Sequence, residues 1–193
     1  QPAHAHSDSF NFELIKGGNP IFVDTGISTY EKNKRRQEER STDSHNTVEI
    51  SSQNQTQVWD GFRVARRAKI IELKEDDLRI SATHDGYKRK DFEHQRVFEW
   101  SDYDITIRDF LNKSSSNKAQ AHFHLHSSII KPILKSDKVI LSDRSISISF
   151  VGHSKIKLKS YDLSTGFNKT NKAFKLIIDF DKNLKTLIDL SNG

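Results

Sequence analysis

At 193 residues the chain is long enough to bury one sizeable core, and the absence of cysteine excludes disulfides and thiolate metal centres. No stretch approaches the about 18 consecutive apolar residues of a membrane span. Thirty-one Lys and Arg against twenty-six Asp and Glu leave a net charge of +5, which favours acidic partners such as anionic polysaccharide or nucleic acid.

The chain begins at Gln1 and contains no methionine. The expectation is therefore a piece of a longer protein, with part of any active site on sequence outside it. His4-Ala5-His6-Ser7-Asp8 comes first. In an extended strand, side chains two residues apart share a face, so His4, His6 and Asp8 are predicted to form one polar row. Residues 10–15 alternate and predict a strand, 16–20 a turn at Gly17-Gly18, and 21–24 a second strand, together a hairpin ending at Asp24. Residues 30–40 show no apolar face after Tyr30, and are read as a long charged loop rather than a helix. Its cations Lys32, Lys34, Arg35 and Arg36 could steer an acidic chain, although Glu31, Glu38 and Glu39 dilute them.

Residues 47–50 predict a strand and 51–57 a polar loop. Further strands are predicted at 58–65, 69–73, 78–83, 95–100 and 105–111, with an Asp85-Gly86 turn. After the loop 112–118, Ala121, Phe123 and Leu125 alternate with His122, His124 and His126, which places the histidines off the core face, where they read as solvent-exposed before they read as a metal-binding row. Strands at 139–141, 146–151, 156–159, 174–180 and 184–190 complete the series. So many short strands with polar turns predict an all-β fold with few or no helices: one large antiparallel β-sandwich domain over 1–193.

Four stretches, in order, carry a resemblance: His4-Ala5-His6-Ser7-Asp8 with Phe12-Glu13-Leu14; Val23-Asp24-Thr25-Gly26 with Tyr30; Arg40-Ser41-Thr42 leading to His45-Asn46-Thr47-Val48; and His84-Asp85-Gly86-Tyr87 with His94 and Arg96. Together they cover about the first half of the chain, and they resemble the C-terminal β-domain of the heparinase II/III-like family of polysaccharide lyases. Ile107-Arg108-Asp109 and the His124-Leu125-His126 strand extend the likeness more loosely. The resemblance implies a supersandwich-like fold packed against an N-terminal (α/α) toroid, which is absent here and is expected to supply a tyrosine acting as acid and base. It implies His4 as a catalytic histidine and His6, Asp24 and His45 as a metal site. It also implies substrate contacts at Arg40, Tyr30 and Asn46, an acidic, uronate-containing polysaccharide cleaved by β-elimination, and the bacterial periplasm or cell envelope. The fragment alone is expected to be inactive.

Two imidazoles and a carboxylate suit Zn²⁺ or another divalent cation, and Asp8 stands as an alternative ligand or an orienting partner. His84 reads as a structural histidine bonded to backbone, and His94 has no evident constellation. Trp59, Trp100 and Tyr87 are read as core residues before sugar-stacking ones. The rival reading is a non-catalytic carbohydrate-binding module. Nucleic-acid binding rests on charge alone, without a basic helix or an aromatic platform, and ranks last.

Overall fold

The computed structural model describes residues 4–191. Apolar alternation is sustained longest near the end of the chain, and there it produces the two longest elements. β13 (Ile146–Gly166) and β14 (Lys169–Asp189) pair as an antiparallel hairpin, each 21 residues long. In β14, Leu176, Ile178 and Phe180, then Leu184 and Ile188, are buried at alternate positions, which is what a strand with one covered face requires. The expected breaks inside these elements are absent. Pairing shifts at Gly152, where φ is +90° and a Cβ would lie 2.4 Å from the Asn183 carbonyl oxygen. Glycine therefore lets β13 bulge and continue instead of ending.

The hairpin serves two arms. The first half of β14 pairs with β10 (Ala119–His124), which pairs with β3 (Val48–Ile50). Its second half pairs with β9 (Asp104–Leu111), and the sheet continues through β8 (His94–Trp100), β7 (Arg79–His84) and β6 (Ile70–Asp76). Beyond β13 lie β12 (Lys138–Leu141) and β11 (Ile133–Leu134). One apolar cluster joins both arms, with Ile107 from one and Phe123 from the other. Phe12 sits among Phe98, Phe22 and Phe123 at centroid distances of 5.4, 5.7 and 6.2 Å. The architecture is the all-β antiparallel sandwich that the strand spacing predicts.

Five local expectations are corrected. The first hairpin, β1 (Leu14–Lys16) with β2 (Asn19–Phe22), turns on Gly17 and Gly18 at φ +54° and +77°, but the strand does not reach back to Phe10. Phe10 itself has φ +67°, and Asn11 N–H donates to the Asp8 carbonyl at 2.9 Å, so His4 to Asp8 is not an extended polar row. Residues 34–39 are a short helix, α1 (Lys34–Glu39), capped by the Asn33 side chain accepting from Arg36 N–H at 2.9 Å. Its inward side is charged, with Arg36 and Glu39 buried, which is why no apolar stripe marks it. Residues 58–65 divide into β4 (Val58–Trp59) and β5 (Arg63–Val64) around left-handed Asp60 and Gly61. Finally, His122 and His124 are buried rather than exposed, because the polar segment around Asp43 covers that face of β10.

Candidate active site

His45 follows a 3-10 turn (Thr42–Ser44) and leads into β3; Asp24 follows β2; His6 lies in the irregular segment before β1. These three places, distant in sequence, meet. His45 Nδ1 is 2.7 Å from Asp24 Oδ2, and His45 Nε2 is 3.3 Å from His6 Nδ1. Asp24 also accepts from Asn11 Nδ2 on Oδ2 at 2.7 Å and from Gly26 N–H on Oδ1 at 2.8 Å. Burial pushes the Asp24 carboxyl up, but the His45 hydrogen bond, its charge and the Gly26 amide outweigh this and hold it below the usual carboxylate value. His45 Nδ1–H thus donates to an ionised Asp24, and its other nitrogen, Nε2, faces His6 Nδ1. Burial, then the neighbouring His45, lowers the His6 pKa to about 4, so His6 is neutral near pH 7.

Two imidazoles and an ionised carboxylate are the donor types Zn²⁺ takes. Their arrangement is a chain: Asp24 and His6 meet opposite nitrogens of the His45 ring. Among the described residues no group of three or more His, Asp or Glu side chains is placed to hold a metal ion. The two nitrogens that face each other belong to His6 and His45, and Asp24 stands behind His45 as an orienting carboxylate does in metal-site histidines.

The remaining expected site residues are placed as follows. His4 is exposed, next to Ala5, whose carbonyl accepts from Arg40 Nε at 2.9 Å. Arg40 is fully buried, donates also to the Arg63 carbonyl at 3.2 Å, and accepts Ser7 N–H on its own carbonyl at 3.0 Å. It therefore clasps the His6 segment from both sides, and its guanidinium points inward rather than to a substrate surface. Asn46 is likewise inside the scaffold: it donates to the Phe12 and Val23 carbonyls at 2.8 and 3.0 Å and accepts from His124 N–H at 2.6 Å. Tyr30 is 49% exposed, its ring 5.1 Å from the Arg36 guanidinium, and remains open to a ligand. Asp8 is exposed. Tyr87 is core, its O–H donating to the Val48 carbonyl at 2.7 Å.

A second series lies behind the first. Gly86 N–H donates to His84 Nδ1 at 2.9 Å, His84 Nε2 is 3.1 Å from His94 Nδ1, and His94 Nε2 is 2.7 Å from Asp109 Oδ1. Arg96 grips both Asp109 oxygens at 2.7 and 3.0 Å and reaches the Asn46 and Phe10 carbonyls at 2.6 and 3.1 Å. Burial raises the Asp109 pKa, and the Arg96 charge and His94 hydrogen bond override it, leaving it at about 2. The backbone partner expected for His84 is present. The role of His94 was legible only through strand register: His94 and Arg96 share a face of β8, with Asp109 opposite Arg96 on β9.

The family described as heparinase II/III-like, C-terminal, matches residues 1–191. Among solved structures, heparan sulfate lyase HepC from Pedobacter heparinus aligns at 18% identity and a TM-score of 0.73, over 96% of this chain and 31% of that one. Heparinase III, the BT4657 gene product, aligns at 18% identity and a TM-score of 0.73, over 96% of this chain and 30% of that one. The chain thus spans about a third of the length of these solved relatives, and at such identities the likeness is one of fold. No curated protein sequence matches it.

Proposed function

The chain belongs to the heparinase II/III-like family, of which it is a C-terminal domain, and from that premise we propose that it supplies one wall of the active site of a lyase cleaving an acidic, uronate-containing polysaccharide by β-elimination. What carries the proposal is the family match together with the exposed position of His4 beside the His6–His45–Asp24 series. β-Elimination removes the proton α to a uronate carboxyl group and expels the 4-linked sugar. Its barrier falls when donors or cations meet the charge that develops on the carboxylate.

In this reading His4 stands at the rim as donor or base, the two roles an imidazole can take. Arg40 is a positioning residue, holding the Ala5 carbonyl and so the placement of His4 and His6. Tyr30 offers a half-exposed ring to a sugar face. A zinc-type cation would be held by His6 and His45, with Asp24 orienting His45. When bound it supplies positive charge to the uronate carboxylate.

The test uses the full-length parent on a panel of acidic polysaccharides, following the ultraviolet absorbance of unsaturated uronate products. Activity abolished by His4→Ala, with folding unchanged, supports the reading. Full activity in that variant removes His4 from the mechanism, and a folded, metal-loaded parent inactive on every substrate favours a binding module instead. Metal content measured for the chain and for His6→Ala and His45→Ala reads the cation site separately.

A further inference from the structure

A recess of about 250 Å³ opens between two stretches outside the His6–His45–Asp24 series. The polar segment 53–57 and the β4–β5 hairpin supply Gln53, Asn54, Gln57 and Arg66, and the turn after β7 supplies Gly86 and Arg89. Backbone pairing brings Arg66 to Gln57: Gln57 N–H donates to the Arg66 carbonyl at 2.8 Å, and Ala65 N–H to the Gln57 carbonyl at 2.9 Å. Lys88 N–H donates to the Asp85 carbonyl at 3.0 Å and closes the turn that carries Arg89.

The lining is one-sided in charge. It holds two guanidiniums and no carboxylate. Elsewhere inward arginines have acceptors: Arg96 takes Asp109, and Arg40 takes the Ala5 and Arg63 carbonyls. Among the described residues neither Arg66 nor Arg89 makes an ion pair or a side-chain hydrogen bond, and Arg66 Nε is buried without a partner. Asp85, at the start of the same turn, is outside the lining, its Oδ1 accepting Lys69 N–H at 2.8 Å. An unpaired guanidinium matches the edge of an oxyanion, which accepts its planar donors two at a time. Asn54 adds a neutral donor, since its Oδ1 is taken by Thr42 N–H at 2.8 Å and its amide nitrogen is left open. At less than the about 300–1,000 Å³ of sites for drug-sized molecules, the recess suits a compact ion.

The same wall supports the histidines. Thr56 N–H donates to Ser7 Oγ at 2.8 Å, Gln55 N–H donates to Thr42 Oγ1 at 3.1 Å, and the two hydroxyls meet at 2.7 Å. Ser7 follows His6, and Thr42 opens the turn before His45, so segment 53–57 touches both histidine-bearing stretches. None of His4, His6, Asp24 and His45 lines the recess itself.

We propose that this recess binds a free, compact oxyanion, inorganic phosphate or sulfate, between Arg66 and Arg89, and that the bound ion stiffens the segment holding His6 and His45 in place.

The experiment titrates the isotopically labelled 193-residue chain with sodium phosphate, with sodium chloride at equal ionic strength and with a sulfated disaccharide, following the amide resonances of Gln57, Gly86 and Arg89. Phosphate is expected to shift all three saturably and chloride none. Arg66→Gln and Arg89→Gln should each weaken phosphate binding roughly tenfold, as loss of one charge-assisted hydrogen bond does, while Lys155→Gln on β13 leaves it unchanged. Neither arginine has an ion pair to lose, so both variants keep the fold, which their remaining amide resonances check. Hydrogen exchange at the Ser7 and Thr56 amides should slow at saturation. The absence of a saturable shift, shifts matched by chloride, or binding untouched by both arginine variants overturns the site. Tighter binding of the disaccharide than of phosphate overturns the free-ion reading, and unchanged exchange at saturation overturns the coupling. No readout involves cleavage, so this proposal and the lyase reading fail independently.

Discussion

His6 and His45 end on Asp24 through contacts of 3.3 and 2.7 Å, while His84 and His94 end on Asp109 through contacts of 3.1 and 2.7 Å. The side-chain types are the same and their surroundings are not. Asp109 is sealed from water and its charge is taken up by the two-pronged grip of Arg96. Asp24 has neutral donors, Asn11 and Gly26, besides His45, so its charge is directed along the His45 ring to a half-buried His6 near the surface. Composition alone does not separate a working site from a structural one. The difference lies in whether a fixed cation consumes the carboxylate and whether the far histidine reaches solvent. The buried series also supports the exposed one, since Arg96 holds the carbonyl of Asn46, the residue after His45.

The widest gap between the two should appear in stability. Arg96→Met leaves Asp109 buried without its guanidinium, and loss of one partner from a buried pair costs roughly 3–5 kcal/mol. Urea unfolding should register that loss, and Asp24→Asn should register a clearly smaller one. Equal losses would erase the distinction drawn here.

Titration separates them next. The folded-state pKa of His6 is about 4, below its unfolded 6.5, so the unfolded chain binds a proton that the folded chain refuses between those values. Stability from this group is therefore complete above about pH 6.5 and falls as pH drops toward 4, by on the order of 2 kcal/mol. His6→Asn should flatten that part of the stability profile, and imidazole NMR should place the His6 midpoint near 4. For Asp109, depressed from 3.8 to about 2, the corresponding loss comes only as pH falls through that lower window.

A smaller effect is expected at Asn11, which bonds the Asp24 carboxylate and, through its own oxygen, Asn46 N–H at 2.8 Å. Asn11→Ala should cost about 1–2 kcal/mol in thermal unfolding, and on the lyase reading should reduce the full-length protein's turnover beyond what that destabilisation explains. Smallest of all, Tyr30→Ala should change stability by no more than about 0.5 kcal/mol, as exposed positions do, while raising the parent's KM for polysaccharide. An unchanged KM would remove Tyr30 from the substrate surface.

Strand periodicity and turn residues were enough to predict the sandwich, because an alternating apolar pattern commits each strand to one covered face wherever it sits in the sheet. Motif order likewise pointed to His4, His6, Asp24 and His45 before any contact was known. Pattern could not tell that α1 buries Arg36 and Glu39, since a charged inward face looks like a solvated loop in sequence. Nor could it separate Arg40 and Asn46, which clasp backbone carbonyls inside the scaffold, from residues that meet substrate. Those assignments depend on the carbonyls of Ala5, Arg63, Phe12 and Val23, which distant segments bring to Arg40 and Asn46. Alternation located most of the strands, though not their ends, and motif order supplied the residue types of the site. Which nitrogen of His45 meets Asp24, and which carboxylate meets an arginine, was set by the fold, because those contacts and burial arise from segments distant in sequence.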